Sequence, residues 1–267
     1  MLTLFTTPKP FKGHTAIIQR NAIRSWTLLK PSCEIILFGD EVGTIETANE
    51  LGVLHCSAVQ RNECGTPLLN DLFTQASQHA SKAYLGCINA DIILLDDFAR
   101  AFERVLSWRA RFLMVGQRRN LEITEALDFG PGWDDRLRVQ ATKEGEFYAG
   151  IDYFVFPKDL WGRIPPFAIG RFYWDNWLLY EARIRKAPVI DCTQAVMAVH
   201  QNHDYAHFSA RPEEISKCPE TRRNRELLGG PHHCFGASET THQLTLQGIK
   251  VRCRSCYPAC VCRFEFT

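Results

Sequence analysis

Residues 84–95 read YLGCINADIILL, in which two apolar runs flank the polar triplet Asn89-Ala90-Asp91. The runs have the composition of a buried strand, and the triplet falls where that strand would be expected to continue. Residues two apart on a strand point to the same side, so Asn89 and Asp91 are expected to project together. An acid inside so apolar a run is costly unless it is paired, hydrogen-bonded or bound to a metal. The triplet is therefore a candidate site.

Strand-like and helix-like patterns alternate along the first third of the chain. Apolar runs predict strands and 3.6-residue periodicity predicts helices, and Gly52 is expected to cap the second helix in a left-handed conformation. This βαβ order predicts a largely parallel sheet covered by helices. Ligands of such sheets gather beyond the carboxyl ends of the strands, where Thr6-Thr7, Asp40 and the triplet lie. The expected strands are 3–6, 34–38 and 53–55, and the expected helices are 14–29, 44–51 and 68–82.

The second half is less regular, and no linker-like segment divides the chain. We therefore expect one domain over residues 1–250 with an appended tail over 251–267. Asp96 and Asp97 are interpreted as the N-cap and first turn of a helix, a structural role. Strands are expected at 112–116, 151–157, 189–191 and 196–199, and helices at 99–108, 133–139 and 174–185.

The composition is that of a globular protein: 267 residues, 45% hydrophobic, 23% charged, with a formal charge of +1. Such a balance gives no support to bulk binding of nucleic acid or anionic membrane. No apolar run reaches the length that spans a bilayer, and residues 1–5 read as a first strand rather than a signal peptide. The expected location is therefore cytoplasmic.

The 11 cysteines fall into two groups. Without a secretory signal, the scattered ones are expected to be reduced, buried small hydrophobes; they include Cys33, Cys56, Cys64, Cys87 and Cys192. The tail instead places Cys253, Cys256, Cys260 and Cys262 within ten residues. That spacing supplies four thiolates for a structural zinc, and an irregular tail is the alternative.

The triplet after an alternating α/β half, Trp174-Asp175-Asn176 downstream and the later His200 and His203 together resemble the metal-dependent nucleotide-sugar glycosyltransferases of the GT-A fold. The resemblance covers about residues 1 to 205. It implies a three-layer α/β/α fold with a mostly parallel mixed sheet, a nucleotide-binding half over about 1–115 and an acceptor half over about 116–250.

The same resemblance assigns roles to the triplet and to the histidines. In that family the triplet is usually Asp-x-Asp, and Asn89 replaces its first acid here. The family's last aspartate holds a divalent metal on the donor diphosphate, and a late histidine completes the metal sphere. Asp91 and His203 are the implied ligands, with His200 as the alternative to His203. Oxygen ligands suit Mg²⁺ or Mn²⁺, and an imidazole favours Mn²⁺. Asn89 is expected to coordinate weakly or to hydrogen-bond the ribose.

Further donor contacts follow from the resemblance, each with a structural alternative. Asp40 is expected at the base or ribose, or is an ordinary loop aspartate. Thr6 and Thr7 would wall the base on its other side. Thr66 faces the nucleotide from the start of a helix opened by Gly65-Thr66-Pro67, or only caps that helix. Arg118 approaches the diphosphate, or is solvated surface charge.

Asp175 lies between Trp174 and Trp177 at the start of a helix. A carboxylate in an aromatic cleft can have a raised pKa, which suits a general base that takes a proton from an acceptor hydroxyl. The alternative is a helix N-cap with aromatic neighbours. If Asp175 is the base the reaction inverts the anomeric centre, and if it only orients the acceptor, retention stays open.

The sequence thus predicts a glycosyltransferase that moves a sugar from a nucleotide-diphosphate donor to a carbohydrate or other hydroxyl acceptor with a divalent metal. A sugar-nucleotide nucleotidyltransferase is an alternative, although the loop after the first strand, TTPKP at residues 6–10, lacks the glycines that class normally shows. A non-catalytic nucleotide- or carbohydrate-binding protein is a third hypothesis.

Overall fold

A computed structural model describes residues 1–203 and 212–252, which form a mixed β-sheet between layers of helices. The strands of these ranges are β1 (Leu2–Thr6), β2 (Glu34–Phe38), β3 (Leu54–Cys56), β4 (Tyr84–Ile88), β5 (Ile92–Leu94), β6 (Leu113–Leu121), β7 (Glu146–Pro157), β8 (Val189–Asp191), β9 (Ala198–Gln201), β10 (His242–Thr245) and β11 (Gly248–Val251). The helices are α1 (Gly13–Thr27), α2 (Thr44–Leu51), α3 (Leu69–His79), α4 (Asp96–Trp108), α5 (Trp133–Glu144), α6 (Trp174–Ile184), α7 (Pro212–Lys217) and α8 (Pro219–Leu228).

The local signals in the first third of the sequence are confirmed. Strand β2 and helix α2 have the expected bounds, and Gly52 caps α2 with a φ of 66° in the left-handed region. Glycine has no Cβ to clash in that conformation. In the second half the strands over 112–116 and 151–157 are longer than expected, because β6 continues to Leu121 and β7 begins at Glu146.

The sheet is mixed rather than all parallel. Its order is β11-β10-β8-β6-β7-β4-β1-β2-β3, and β9 pairs with both β5 and β6. The pairs formed by β1 with β2 and β4, by β2 with β3, and by β6 with β8 and β9 are parallel. Strand β7 lies antiparallel to both of its neighbours, β4 and β6. This reversal joins the two halves of the chain into one sheet.

Alternate residues of the strands supply the cores on the two faces of the sheet. Leu4 packs in a cluster with Trp26 of α1 and Phe98 of α4, whereas the next residue, Phe5, packs with Phe73 of α3 on the other face. Side chains on a strand alternate between faces. Strand β1 is buried at every position and is therefore covered on both faces, as the three-layer expectation requires.

The triplet connects two strands, and the expectation that β4 continues through it is wrong. Strand β4 ends at Ile88 between β1 and β7, and the backbone N–H of Ile92 donates to the carbonyl of Asn89 at 3.1 Å, which turns the chain. Strand β5 then pairs antiparallel with β9. Polar residues at this point let the chain leave one strand and enter another.

Asp96 and Asp97 lie in the first turn of α4, but the N-cap is Leu95. Asp97 accepts hydrogen bonds from Arg138 Nη1 at 2.6 Å and from the backbone N–H of Met197 at 3.2 Å. Asp96 pairs with Arg100 and Arg138. These acids therefore tie α4 to α5 and to the residue before β9, a structural role reached through side chains rather than through capping.

The cysteines of the described ranges are free thiols. Cys87 and Cys192 are buried as expected, whereas Cys64 is exposed and Cys33 and Cys56 are half-buried. The four tail cysteines at 253, 256, 260 and 262 lie outside the described residues, and β11 ends one residue past the expected domain boundary at 250. Within residues 1–203 and 212–252, no helix has the length and apolarity needed to cross a bilayer.

Candidate active site

A cavity of about 680 Å³ opens at the carboxyl edge of the parallel strands. Strands β1 and β4 are parallel neighbours, with Phe5 opposite Cys87, so the loops that follow them leave the sheet at the same edge. Helix α6 contributes its amino-terminal end. Many of the residues singled out in the sequence line this cavity: Thr6, Thr7, Thr66, Asn89, Asp91, Arg118, Asp175, His200 and His203.

Asp91 meets two histidines in this cavity. The Oδ2 atom of Asp91 lies 3.2 Å from Nε2 of His203 and 3.7 Å from Nε2 of His200. The register of β5 and β9 sets Ile92 opposite His200, which brings the histidine to the end of the triplet. One potential ligand atom from each residue lies within 4.8 Å of the other two. The structure thus gathers both histidines around Asp91, where the sequence offered one or the other.

The charges and free atoms of this cluster fit a divalent cation. Burial alone would raise the pKa of Asp91, but the hydrogen bond from His203 and the charges of His200 and Lys9 outweigh it and hold that pKa well below its usual range. Burial lowers the pKa of His200 to about 4, which leaves its imidazole neutral and able to bind a metal. Oδ1 of Asp91 is buried without a hydrogen-bond partner among the described residues. A bound cation would satisfy the lone pairs of this oxygen.

Asn89 lines the same cavity as Asp91 but has a different partner. Its side-chain Nδ2 donates to Oδ1 of Asp152 at 2.7 Å, and its backbone N–H donates to the carbonyl of Asp152 at 3.1 Å. Asn89 therefore braces β7 against the end of β4.

Asp152 is the acid that the sequence reasoning missed. It is buried on β7, where Nη1 of Arg118 donates to its Oδ1 at 2.6 Å, while its buried Oδ2 has no hydrogen-bond partner among the described residues. Burial and the nearby charge of Asp91 raise the pKa of Asp152, opposed by Arg118 and Asn89. The signal that finds it is the one that found Asp91, a single acid inside the apolar strand 151–157.

Arg118 lies within β6 rather than beyond it, because that strand runs on to Leu121. Besides binding Asp152, its guanidinium donates from Nε to Oδ1 of Asn120 at 3.0 Å and stacks 4.5 Å above the ring of Tyr148. The guanidinium lines the cavity while being held by these groups. Its contact with a diphosphate stays a prediction.

Asp175 lies at the start of α6 and faces the cavity. The residue that precedes α6, Tyr173, has a φ of 87°, a left-handed conformation that a tyrosine rarely adopts and that costs on the order of 1–2 kcal/mol. Burial raises the pKa of Asp175 to about 6, with a smaller contribution from the charge of Asp152, while backbone groups of residues 173, 175 and 176 oppose the rise. A carboxylate with this pKa accepts a proton near neutral pH.

The remaining predicted contacts separate into those on the cavity wall and one outside it. Thr6 is buried at the end of β1, and Thr7 follows it on the wall. Thr66 lies on the wall but precedes α3, which begins at Leu69, so the expectation that Gly65-Thr66-Pro67 opens the helix is wrong. Nη2 of Arg171 reaches the hydroxyl of Thr66 at 3.4 Å. These roles toward a nucleotide stay predictions.

Asp40 is the predicted contact that lies off the wall. Its side chain is largely exposed, and Nη2 of Arg61 donates to its Oδ1 at 2.9 Å. Of this pair it is the arginine that lines the cavity. A contact between Asp40 and a base or ribose therefore stays a prediction that the structure does not place at the cavity.

The comparisons with known proteins were made on sequence and on fold. No family model and no curated protein matches the sequence. Two solved structures of glucosyl-3-phosphoglycerate synthase from Mycobacterium tuberculosis superimpose on the chain with a TM-score of 0.50. One, a complex with Mn²⁺, uridine diphosphate and phosphoglyceric acid, is 14% identical over 88% of this chain and 78% of its own. The other is 12% identical over 94% and 87%. The chain shares their fold.

The α/β fold with a mixed sheet expected from the resemblance to GT-A enzymes is therefore confirmed. A mannosyltransferase from Pyrobaculum calidifontis, solved with GDP-mannose and Mn²⁺, is also similar, with a TM-score of 0.47 and 12% identity over 87% of this chain and 71% of its own.

Proposed function

We propose that this protein is a glycosyltransferase that moves a sugar from a nucleotide-diphosphate donor to an acceptor hydroxyl, assisted by Mn²⁺ or Mg²⁺. One observation carries the proposal: a single cavity holds both the Asp91–His200–His203 cluster and the buried carboxyl of Asp175. The first is suited to a cation, and the second to accepting a proton. Transfer from a diphosphate leaving group to a hydroxyl can use both.

Asp91, His203 and His200 would hold the cation. Two imidazoles beside one carboxylate favour Mn²⁺ over Mg²⁺. A bound divalent ion would act as a Lewis acid toward the charge that develops on the departing diphosphate. The threonines at 6, 7 and 66 line the part of the wall that we assign to the nucleoside and phosphates.

Asp175 would take the proton from the acceptor hydroxyl as that oxygen attacks the anomeric carbon. A base on the acceptor side implies attack opposite the leaving group and hence inversion of the anomeric centre. Phe172 and Trp174 also line the cavity. Aromatic faces of this kind stack on sugar rings and exclude water.

The first experiment is a binding and turnover panel with purified protein. UDP, GDP, CDP and their sugars are tested with and without MnCl₂ by thermal shift, and release of the nucleoside diphosphate is then measured with the best donor. We expect metal-dependent stabilisation and slow donor hydrolysis. Nucleotide binding without any turnover would favour the non-catalytic hypothesis, and formation of a sugar nucleotide from a nucleoside triphosphate and a sugar 1-phosphate would favour the nucleotidyltransferase.

Asp91→Ala tests the site itself. The variant should lose metal-dependent nucleotide binding, because it removes the carboxylate of the cluster. His203→Gln and His200→Gln should each weaken the dependence on Mn²⁺. Asp159→Ala is the matched control, since Asp159 is a largely exposed acid that does not line the cavity. Equal binding by wild type and Asp91→Ala, with and without Mn²⁺, would overturn the assignment. Fractionation of cells expressing the tagged protein tests the proposed cytoplasmic location.

A further inference from the structure

Lys9 stands out among the cations of the cavity wall because its ammonium has no acidic partner within the described part of the chain. Arg61, Arg118 and Arg171 line the same cavity, and each pairs with a carboxylate, on Asp40 and Glu41, on Asp152 and on Glu220 respectively. Over residues 1–203 and 212–252, the structure shows no ion pair or hydrogen bond of the Lys9 ammonium. Lys9 therefore carries a charge that the described protein does not neutralise.

The backbone of Lys9 is held in place from two sides. Its N–H donates to Oε1 of Gln19 at 2.7 Å, and its carbonyl accepts from Nε2 of Gln19 at 2.8 Å. Gln19 is itself a buried residue of α1. Pro8 and Pro10 flank Lys9 in the sequence, and a residue before proline is restricted to extended conformations. The buried side-chain amide of Gln19 therefore bonds both backbone groups of Lys9 and fixes the position from which the lysine side chain extends.

The loop that carries Lys9 borders the candidate metal site at Asp91. Strands β1 and β4 are parallel neighbours, so the loop carrying Lys9 and the triplet leave the sheet side by side. The Lys9 side chain therefore lines the same cavity as the residues that would hold the cation, Asp91, His200 and His203.

The charges that line the cavity indicate what kind of ligand the Lys9 ammonium would bind. Asp91 and Asp175 each bring a carboxylate to the cavity, and Asp152 is compensated by Arg118. A divalent cation would match the charges of Asp91 and Asp175, and Lys9 then supplies one further positive charge toward an anionic ligand. A bridging diphosphate brings about two negative charges in its diester form, and lysine binds phosphate oxygens as a point charge.

We propose that Lys9 binds a phosphate oxygen of the nucleoside diphosphate in this cavity and stabilises the charge of the leaving group. The inference rests on the proposed function and adds a residue to it. Because Gln19 already fixes the backbone of Lys9, little ordering of that backbone is needed when the ligand arrives, which favours diphosphate binding. The same ammonium stabilises the charge that forms as the diphosphate leaves the sugar.

The test compares Lys9→Gln and Lys9→Arg with wild type by isothermal titration in MnCl₂, using whichever of UDP, GDP or CDP stabilises the wild type most, and its parent nucleoside. Lys12→Gln is the matched control, because Lys12 is an exposed lysine three residues along that does not line the cavity. Lys9→Gln should weaken diphosphate binding about 10- to 100-fold, the range of a charge-assisted hydrogen bond, and leave nucleoside binding unchanged. Lys9→Arg should recover most of the loss, and Lys12→Gln should show none.

The outcomes separate this inference from the function on which it rests. If wild type binds the diphosphate and Lys9→Gln binds it equally well, the assignment of Lys9 is wrong and the glycosyltransferase proposal stands. If Lys9→Gln weakens nucleoside and diphosphate by the same factor, Lys9 shapes the loop rather than binding phosphate, and the assignment is again wrong. If wild type binds no nucleoside diphosphate with Mn²⁺, both proposals fail.

Discussion

Replacing Asp175 by asparagine should stabilise the protein at neutral pH while it removes the proposed base. Burial raises the pKa of this carboxyl to about 6, so above that pH the folded protein holds an ionised group in surroundings that disfavour it. Asparagine has nearly the same shape and keeps an acceptor oxygen for the nearby backbone groups, but it carries no charge. The substitution therefore removes the free-energy cost of ionising a carboxyl at this position in the folded protein.

The size and sign of the effect follow from linkage. In the unfolded chain the carboxyl has its ordinary pKa of 3.8, so as the pH rises the unfolded state loses its proton first and the folded state is progressively disfavoured. The penalty amounts to about 0.6 kcal/mol at pH 4, about 1.6 kcal/mol at pH 5 and about 3 kcal/mol above pH 7. It is fully developed only above the folded pKa. The advantage of Asp175→Asn should grow over the same range.

Urea denaturation of wild type and Asp175→Asn at pH 5 and at pH 7.5 measures this difference. The variant should be more stable at both, by over 1 kcal/mol more at the higher pH, and wild-type turnover should rise through about pH 6 as the base ionises. Asp159→Asn, at a largely exposed acid, should show no such trend. An advantage that is absent, or equal at the two pH values, would refute the reasoning from a buried, ionised carboxyl.

Two further predictions concern the residues that hold the site in shape. Asn89→Asp would set a second carboxylate against Asp152 in place of the 2.7 Å hydrogen bond, so the free energy of unfolding at pH 8 should fall by about 1–3 kcal/mol and recover toward pH 5; urea denaturation that shows no loss at pH 8 would contradict the pairing. Tyr173→Gly should lower turnover roughly tenfold, because it frees the strained N-cap of the helix that carries Asp175. Lys186→Gly, at an exposed left-handed residue (φ 57°) just past the other end of α6, should instead raise the free energy of unfolding by about 1 kcal/mol with unchanged turnover. Equal turnover in the two glycine variants would show that the strain at Tyr173 serves no catalytic purpose.

The alternating half of the fold could be predicted because its signals are local. Apolar runs, helical periodicity and Gly52 each act within a few residues, and β2 and α2 have the expected bounds. The insertion of β7 between β4 and β6, antiparallel to both, could not be predicted in this way. Strand order depends on packing between segments far apart in sequence, and the apolar pattern of 151–157 suits a buried strand in either direction.

The candidate site was predictable residue by residue but not as an arrangement. An acid in the apolar run 84–95 singled out Asp91, yet the pairing of β5 with β9 is what brings His200 to it. Asp152 is likewise an acid in an apolar run, but its partners Arg118 and Asn89 lie 34 and 63 residues away in sequence, so no local pattern links it to the site. Only the folded sheet shows that these three residues meet.

This meeting also explains why an asparagine occupies the first position of the triplet. Asp152, on the neighbouring strand β7, already brings a carboxylate to that place, and it needs a donor from position 89 as well as the guanidinium of Arg118. An acid at position 89 would leave three carboxylates together with one guanidinium, and ionised groups so close in a buried site strongly disfavour one another. With asparagine at position 89, Asp152 and Arg118 form an ion pair with no net charge, hydrogen-bonded to Asn89 on the cavity wall. Among the described residues, the cluster then has Asp91 as its carboxylate, and two imidazoles rather than a second acid complete it.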